Sequence, residues 1–403
     1  MNLSEWITQN SSDLHYIFIK RLSANDTGQN KSHQVGTYIP NIVSQHALSP
    51  ICSVDVKNPD MPLDARIDSH DLPSQKVRAV YYNTKKFENR AKGRDEKRIT
   101  RWSSTNGKNP LQNGDNTGAI TIFSFELNAD KGFAESVKVW VCKNVEEEEY
   151  IEGLVGEVFP GAWLANSGDL IFNGFSPLNI STISKIKLPD DWKSRFPSGE
   201  ELIDYLSANY HFKKVSPDDL ILERREQEFK LFLAVEELHV KDKISSGFNS
   251  VDDFIALANS ISNRRKSRSG KSLEIHLEAI FKQFGITNFS TQCRTEENKR
   301  PDFIFPSCKA YHEDSFNSDK LKMLAVKTTC KDRWRQIINE ASRINYKHLF
   351  TLQEGVSVNQ FNEMCSENVV LVVPEKLKDK YPEEIRNKLL SLSDFIQEIK
   401  ALD

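Results

Sequence analysis

The chain has 403 residues and a formal net charge of −3 at pH 7, with 38% hydrophobic and 28% charged residues. A chain of that length exceeds one ordinary hydrophobic core, so we expect two domains. No apolar run approaches the ~20 residues that a membrane-spanning helix needs, which argues against a membrane protein. The N-terminal residues lack the charged and apolar regions of a secretory signal, so we expect a cytoplasmic protein.

The cysteines are scattered through the chain, and none form a Cys-x-x-Cys pair. Their spacing argues against a structural zinc site and favours free thiols in a reducing compartment. They are Cys52, Cys142, Cys293, Cys308, Cys330 and Cys365.

Residues 1–175 are predicted to form a β-rich domain. Four segments there combine β-branched and aromatic residues, with turn-forming Asn, Gly and Asp between them, and this pattern predicts strands. The segments are 16–20, 79–83, 119–127 and 136–142. Residues 176–185 follow within a stretch that contains Gly174, Pro177 and Pro189, and they are predicted to be a linker.

Residues 186–403 are predicted to form an α/β domain with a central mixed sheet. The segments 220–240 and 272–284 have helical character, since apolar side chains in the second recur every three or four positions. Four short apolar runs follow, and helical segments separate the later ones, as in α/β folds. The runs are 302–305, 323–326, 348–352 and 369–373.

A strongly basic segment lies at residues 76–101, where ten Lys and Arg stand against three acids. Tyr81, Tyr82 and Phe87 are interleaved with these cations. Such a segment suits a phosphate backbone, and arginine can also read guanine in the major groove. A solvated basic loop explains the same composition equally well.

A second basic cluster occupies residues 263–271, just before a helix expected to begin near Ser272. Its Ser-Gly-Lys-Ser run resembles part of a phosphate-binding loop, but Arg265 stands where the first glycine of that loop belongs. We reject a nucleotide-binding loop on that ground. Contact with a phosphate backbone and plain solvation both remain open.

Two of the apolar runs carry a candidate nuclease pair. Asp302 begins one predicted strand and Lys327 ends another. Nucleases of the PD-(D/E)xK class combine such a carboxylate with a lysine and with a second carboxylate two positions before that lysine. Carboxylates suit Mg²⁺, which is a hard cation, and metal and lysine together stabilise the charge that develops on phosphate.

The second carboxylate is absent from its usual position, because Ala325 stands two residues before Lys327. Asp332 and Glu340 are the nearby acids that could replace it. Apolar residues recur at helical spacing from Arg333 onward, so we expect a helix there that packs on the sheet. Such a helix could return Glu340 to the strand end, whereas Asp332 could be its N-cap. Spacing alone leaves both acids open.

Six longer stretches are far more specific than this pair of residues. They are VKTTCKDRWRQIINEA (326–341), NRRKSRSGKSLE (263–274), RPDFIFP (300–306), FTLQEGVS (350–357), IKRLSANDTG (19–28) and EKRITRW (96–102). These stretches closely resemble the EcoRII-like type II restriction endonucleases, and the resemblance runs over nearly the whole chain.

The resemblance implies a homodimer that cuts both strands of duplex DNA at a CCWGG-like site with Mg²⁺. It implies a C-terminal restriction-endonuclease-like catalytic domain and an N-terminal DNA-binding pseudobarrel. The N-terminal domain would bind a second copy of the site and relieve autoinhibition of the catalytic domain. A prokaryotic cytoplasm and a companion cytosine methyltransferase that acts on the same site also follow from the resemblance.

The same resemblance assigns the residues of the active site. It favours Asp302, Lys327 and Glu340 as the catalytic group, in which the two acids would bind the metal. Glu274 matches an upstream acid that can assist metal binding, although Glu278, one turn later, competes for that role.

The resemblance also assigns the DNA contacts. Base readout in the catalytic domain falls on Lys331, Asp332 and Arg333, where a cation would donate to guanine and the carboxylate would accept from cytosine. A pocket for a flipped base falls on Arg225 and Phe229, one helical turn apart. Contacts to the second DNA site, weakest at Lys92 and Arg94, fall on His33, Tyr38, Lys92, Arg94, Glu96, Lys97 and Arg98.

Two other functions are less favoured than a sequence-specific endonuclease. A DNA-binding regulator with an inactive nuclease fold would not need the complete set of Asp302, Lys327 and Glu340. A structure-specific nuclease such as a junction resolvase would need mainly phosphate contacts, rather than the mixed charges at residues 331–333.

Overall fold

The computed structural model describes residues 1–29, 36–102, 109–168, 188–213, 215–330 and 333–402. The chain divides into two compact units. The first unit comprises Met1–Leu178, Glu354–Val358 and Lys380–Pro382, and the second comprises Asn179–Gln353, Asn359–Asp379 and Glu383–Asp403. The predicted linker at 176–185 lies outside the described residues. In the described parts of the chain, no helix has the length and apolar character to cross a membrane.

The first unit is β-rich. Its described strands are β1 (His15–Arg21), β2 (Thr37–Ile39), β3 (Asp60–Ile67), β4 (Gln75–Tyr82), β5 (Glu96–Thr100), β6 (Ile120–Leu127), β7 (Ala134–Val141) and β8 (Trp163–Ser167). They form one sheet in the order β2-β5-β4-β3-β7-β6-β1-β8, in which β3 and β7 are parallel and the other neighbours are antiparallel. The four strands that the sequence predicts here are confirmed as β1, β4, β6 and β7.

Strand β1 is buried on both faces of this sheet, whereas one face of β3 is exposed. On β1, Tyr16 and Phe18 belong to one hydrophobic cluster, whereas Ile17 and Ile19 belong to another. Helix α2 contributes to the first cluster, and α1 and α4 contribute to the second. A strand covered on both sides has a continuous apolar run, which is why 16–19 lacks polar alternation. The helices are α1 (Leu3–Gln9), α2 (Asn41–Ala47), α3 (Thr84–Phe87) and α4 (Val145–Val155).

The second unit is an α/β domain with a mixed sheet, as predicted. Its strands are β9 (Ser290–Thr291), β10 (Phe303–Phe305), β11 (Lys322–Lys327), β12 (Lys347–Thr351) and β13 (Val369–Val372). The sheet order is β13-β12-β11-β10-β9. Strands β9, β10 and β11 are antiparallel neighbours, while β11, β12 and β13 run parallel. All four predicted apolar runs are confirmed, as β10 to β13.

Helices pack against this sheet, mainly through long segments that precede it. They are α5 (Gly199–Asn209), α6 (Pro217–Ser246), α7 (Val251–Gln283), α8 (Cys308–His312), α9 (Val358–Ser366), α10 (Glu375–Lys378), α11 (Glu383–Arg386) and α12 (Leu392–Lys400). The helix predicted to start near Ser272 starts instead at Val251, because Ser250 caps it by accepting from the Asp253 N–H. The basic cluster at 263–271 therefore lies inside α7 rather than before it.

Two cations of this cluster are buried between α6 and α7. The Nε of Arg265 lies 3.0 Å from both carboxylate oxygens of Glu236. Arg268 pairs with Glu228, and both side chains are 3% exposed or less. Phosphate contact and solvation were the two alternatives for this cluster. Neither describes these two arginines, which form internal ion pairs between the helices.

The expectation of free thiols is wrong for one pair of cysteines. Cys293 and Cys308 form a disulfide, because α8 folds back beside the β9–β10 hairpin and brings the two Cα atoms to 5.6 Å. The other four cysteines, which all lie among the described residues, form no disulfide.

Asp218 ties the start of α6 to two C-terminal helices. Its buried carboxylate accepts hydrogen bonds from the N–H groups of Glu375 at 3.1 Å, Leu392 at 2.8 Å and Ser393 at 3.1 Å. One charged side chain thus satisfies the N-terminal donors of α10 and α12.

Replacing Asp218 by Ala should lower the free energy of unfolding by about 3 kcal/mol, because several N–H groups lose a charged acceptor. Asp219→Ala is the matched control, since Asp219 pairs with Lys376, whose side chain is 60% exposed, and its loss should cost below about 1 kcal/mol. Denaturant unfolding of both variants measures the difference. Equal losses would contradict the special role of Asp218.

Candidate active site

The pairing of β10 with β11 brings Asp302 and Lys327 together. Phe303 lies opposite Leu324, so continuing the register by one residue sets Asp302 opposite Ala325. Ala325 and Lys327 are two positions apart on β11 and share one face of the sheet. The Lys327 Nζ lies 3.8 Å from the Asp302 Oδ2.

The carboxylate of Asp302 is held on both of its oxygens. Its Oδ2 accepts from the Val326 N–H at 2.7 Å, and its Oδ1 accepts from the Gln292 side-chain amide at 3.0 Å. The Gln292 N–H also donates to the Asp302 carbonyl oxygen at 3.2 Å. The acid is 8% exposed, so its direction is fixed by neighbours rather than by solvent.

Gln292 connects Asp302 to a second acid. The same amide nitrogen donates to the Glu274 Oε2 at 3.1 Å. Glu278, the alternative upstream acid, pairs instead with Lys282 at 2.6 Å. Geometry therefore places Glu274 beside Asp302. Gln292 was missed by sequence reasoning, and its only signal was its position just after β9, on the hairpin that leads to Asp302.

Glu274 has a raised pKa. Burial is the main cause and the charge of Asp302 adds to it, while Lys271 and the Gln292 amide oppose the shift. Burial and the charge of Asp302 thus disfavour the ionised form of Glu274 relative to a glutamate in water.

Glu340 reaches the site on a turn rather than on the predicted helix. A short 3-10 helix spans Arg333–Ile337, and the Glu340 N–H then donates to the Ile337 carbonyl at 3.0 Å. Ala341 follows with φ at +48°, a conformation that no α-helix contains. The prediction of a helix that continues from Arg333 to Glu340 is therefore wrong.

The side chain of Lys347 holds the turn that follows the short helix. Its ammonium donates to the carbonyl of Ala341 at 2.6 Å and also to the carbonyl of Ile344. On the other side of the turn, the Glu296 carboxylate accepts from the Ser342 N–H at 3.2 Å. Both contacts use groups that a continued helix would need for its own hydrogen bonds.

The ionisation of Glu340 is affected by both Lys327 and Asp302. Burial raises the pKa of Glu340, Lys327 lowers it, and Asp302 raises it. Glu340 is thus close enough to Lys327 and Asp302 for both to act on its ionisation. The sequence singles out Asp302, Glu340, Glu274 and Lys327, and the structure brings these residues together. The charge of Asp302 acts on the ionisation of both glutamates, and Lys327 lies beside Asp302.

Comparison with known proteins identifies the family. The EcoRII C-terminal family matches residues 232–396, and the family described as restriction endonuclease EcoRII, N-terminal, matches residues 11–168. The type II restriction enzyme EcoRII of Escherichia coli is 49% identical over 397 residues, which cover 98% of this chain and 97% of that protein. The chain belongs to the EcoRII family.

More distant similarities are also found. The type II restriction enzyme SsoII of Shigella sonnei is 26% identical over 225 residues, which cover 52% of this chain and 65% of that protein. Metal-depleted Ecl18kI in complex with uncleaved, modified DNA aligns with 55% of this chain and 83% of its own, at 23% identity and a TM-score of 0.44.

Membership of the EcoRII family makes the chain a type II site-specific deoxyribonuclease. A sequence-specific DNA endonuclease is therefore its activity, and the alternative of an inactive regulator is set aside. Enzymes of this class generally use a divalent metal ion.

The DNA-contacting residues expected in the catalytic half of this EcoRII-family chain are placed only in part. Lys331 and Asp332 lie outside the described residues, and Arg333 begins the short 3-10 helix. Arg225 and Phe229 both lie on α6, where they are 2% and 9% exposed.

The expected base pocket is filled by protein in this structure. Arg225 donates to the Ser272 hydroxyl and lies 3.4 Å from Glu228. The guanidinium of Arg268 lies over the Phe229 ring, 4.7 Å from its centre. Arg268 therefore covers one face of the Phe229 ring.

Two residues expected to bind a second DNA site are accessible cations. Lys92 and Arg94 are exposed, and the Arg94 guanidinium lies 5.3 Å from the centre of the Tyr82 ring. Tyr38, on the edge strand β2, is 41% exposed. His33 lies outside the described residues.

The other two cations of that set are buried. Lys97 donates to the Asn41 side chain at 3.0 Å, and Arg98 donates to the Gly36 carbonyl at 2.8 Å and to Glu96 at 3.0 Å. The sequence ranked Lys97 and Arg98 above Lys92 and Arg94. Exposure supports the reverse order for direct contact with DNA.

A Glu274→Gln variant should stabilise the metal-free protein as the pH rises. Because the folded state raises the pKa of Glu274, the folded protein holds a proton that the unfolded chain has released, and stability falls as pH passes through that window. The neutral glutamine escapes this loss. Thermal unfolding in chelator, from about pH 4 to about pH 8, should show an increasing advantage over the native protein.

Glu278→Gln is the control for this comparison, since Glu278 belongs to a solvent-accessible pair with Lys282. It should show no growing advantage with pH. An advantage of equal size in both variants would contradict the assignment of Glu274 to the buried acid group.

Proposed function

We propose that this chain is a Mg²⁺-dependent endonuclease that hydrolyses phosphodiester bonds in both strands of duplex DNA at a CCWGG-like site. The observation that carries the proposal is the arrangement of Asp302 and Lys327 across the β10–β11 pair, with Glu340 in their electrostatic range. Asp302, Lys327 and Glu340 are the proposed catalytic group, and Glu274 is the proposed assisting acid.

The acids of this group fit Mg²⁺. Carboxylate oxygens are the hard ligands that Mg²⁺ prefers. Glu274 and Glu340 both have raised pKa values, for which burial is the first cause and the charge of Asp302 a further one. A divalent cation held by Asp302 and Glu340, with help from Glu274, would relieve that repulsion. When bound, it supplies positive charge to the phosphate under attack.

Lys327 complements the acids. Its side chain is 25% exposed, so the ammonium can face a phosphate while it remains within 3.8 Å of Asp302. We assign it to orienting the attacking water and to stabilising the negative charge that develops on the phosphate. Neither task requires Lys327 to contribute much to DNA affinity.

Lys327→Ala should lower the cleavage rate by at least about 100-fold, because a preorganised charge is lost from the reacting phosphate. DNA binding, measured by mobility shift without Mg²⁺, should be largely unchanged. Lys322→Ala is the matched control, since Lys322 lies at the other end of β11 and pairs with Glu398 at 3.1 Å. Lost binding in Lys327→Ala, or slow cleavage in Lys322→Ala, would contradict the assignment.

Base readout is proposed for Lys331, Asp332 and Arg333. A cation donates to the O6 and N7 of guanine, and a carboxylate accepts from the cytosine N4, so this sequence can read both bases of one G·C pair. Arg333 lies six residues after Lys327. Recognition and hydrolysis would then depend on one short segment of chain.

A pocket for a flipped base is proposed at Arg225 and Phe229. Their spacing of four residues puts them on one face of α6. Since the Arg268 guanidinium lies over the Phe229 ring, the base would have to take the place of that contact.

The N-terminal unit is proposed to bind a second copy of the site and to relieve autoinhibition. The exposed residues Tyr38, Lys92 and Arg94 support this role, and His33, Glu96, Lys97 and Arg98 complete the proposed set. A homodimer, a prokaryotic cytoplasmic location and a companion cytosine methyltransferase for the same site belong to the same proposal.

Cleavage assays test the proposed activity. Plasmids with no, one or several CCWGG sites are incubated with the protein and Mg²⁺, and the product ends are mapped. We expect cleavage at the sites, and faster cleavage when several sites are present. If no plasmid that carries a site is cut, the catalytic proposal is overturned. If plasmids with one site and with several sites are cut at equal rates, the proposed activation is overturned.

Lys92→Ala combined with Arg94→Ala should reduce the advantage of several sites, because exposed cations that contact the second DNA copy are lost. The rate on a one-site plasmid should change little. Lys131→Ala serves as the control, since Lys131 is an exposed cation outside the basic segment and pairs with Glu135 at 2.6 Å. A loss of the same size in the control would show a general charge effect instead.

A further inference from the structure

A second cluster of metal-ligating side chains lies outside the proposed active site. Cys293, Cys308 and His312 each place one ligand atom within 4.8 Å of the others. Cys293 is buried, Cys308 is half-buried and His312 is exposed, so the cluster is open to solvent on one side. The proposed active-site residues Asp302, Glu340, Glu274 and Lys327 do not belong to this cluster.

The fold builds this cluster from two elements. Cys308 and His312 are four residues apart on α8, which puts them on one face of the helix. Cys293 follows β9, and the Cys308 N–H donates to the Ser290 hydroxyl at 2.9 Å, which fixes α8 against the hairpin. The segment after β9 and the helix α8 therefore bring the three ligands together.

A backbone carbonyl also orients the histidine. The His312 Nε2 lies 2.9 Å from the carbonyl oxygen of Arg294, the residue next to Cys293. Because a carbonyl only accepts, the ring proton is on Nε2 and the lone pair is on Nδ1. Metal-binding histidines are commonly oriented in this way by a hydrogen bond from the other ring nitrogen.

We propose that Cys293, Cys308 and His312 form a zinc site that is exclusive with the Cys293–Cys308 disulfide. In the oxidised protein the two sulfurs are bonded to each other. In the reduced protein they bind Zn²⁺ together with the imidazole of His312. The scattered spacing of the cysteines gave no sign of such a site, because its ligands are brought together by α8 folding back.

Conversion of the disulfide into the zinc site requires a thiol reductant. Two molecules of a thiol reductant become one disulfide, while Cys293 and Cys308 take up two electrons and two protons. Zn²⁺ then binds the thiolates and releases their protons to solvent. Two thiolates on one tetrahedral zinc stand about 3.7 Å apart, so the disulfide needs only a small opening.

The donor set selects zinc over the metal proposed for the active site. Thiolates and imidazole suit Zn²⁺, whereas Mg²⁺ prefers oxygen ligands. Among the described residues, no fourth His, Cys, Asp or Glu joins the group, so one position is left for water. The loop from Cys293 to Cys308 contains Asp302, and either the disulfide or the zinc would close it.

Cobalt substitution tests the site directly. The full-length protein is reduced, freed of reductant under anaerobic conditions and titrated with Co²⁺, which shows a thiolate-to-metal charge-transfer band. We expect one Co²⁺ per chain with this band in the native protein and in Cys365→Ser, a control at an exposed free thiol. The band should be absent from the oxidised protein, and Zn²⁺ should abolish it by displacing cobalt.

Cys293→Ser and Cys308→Ser should lose the band, and His312→Ala should weaken Co²⁺ binding by about tenfold or more. Since His312 is exposed, that variant should fold even if a cysteine variant does not. Asp302→Asn should keep the band, which separates this site from the proposed catalytic acids. No band in the reduced native protein, an unchanged band in Cys293→Ser, or an unchanged Co²⁺ affinity in His312→Ala would overturn the proposal.

Discussion

The position of Asp302 is the constraint on which the proposed catalytic group depends. Its two oxygens accept from the Val326 N–H and from the Gln292 amide, and Lys327 lies 3.8 Å away. The first contact exists only because β10 and β11 are paired in one register. A slip of one residue would turn Lys327 to the opposite face of the sheet. The apolar side chains of the two strands therefore fix the register, and the register sets Asp302 close to Lys327.

The turn that carries Glu340 is held by a second lysine. An acid at position 325 would stand directly across from Asp302, about 5 Å away, but Ala325 occupies that position. Glu340 lies instead on a turn in which Lys347 donates to the carbonyls of Ala341 and Ile344. Burial lowers the pKa of Lys347, while the charge of Glu340 raises it. Lys347 in turn lowers the pKa of Glu340, so each residue stabilises the ionised form of the other.

Local sequence predicts the strands and the catalytic pair, but not the features that depend on distant side chains. Apolar runs mark β10 and β11 because both strands are buried in the core. The helix expected after Arg333 ends at Ile337, and Lys347, from the next strand, holds the turn beyond it. The burial of Arg265 depends on Glu236, 29 residues earlier on another helix. The disulfide pairing and the bridging role of Gln292 likewise appear only once the hairpin and α8 are packed.

The buried charges between α6 and α7 bear on how a flipped base would enter. Glu228 is fully buried and accepts from Arg268 and from the Ser272 hydroxyl, with Arg225 3.4 Å away. Removing a partner from such a group costs several kcal/mol, so Arg268 would have to keep Glu228 while it leaves the ring of Phe229. A desolvated cation–π contact contributes about 2 kcal/mol, and stacking of a base on an aromatic ring contributes about 1–3 kcal/mol. The exchange at Phe229 is thus nearly balanced, and hydrogen bonds from Arg225 to the edge of the base would decide its direction.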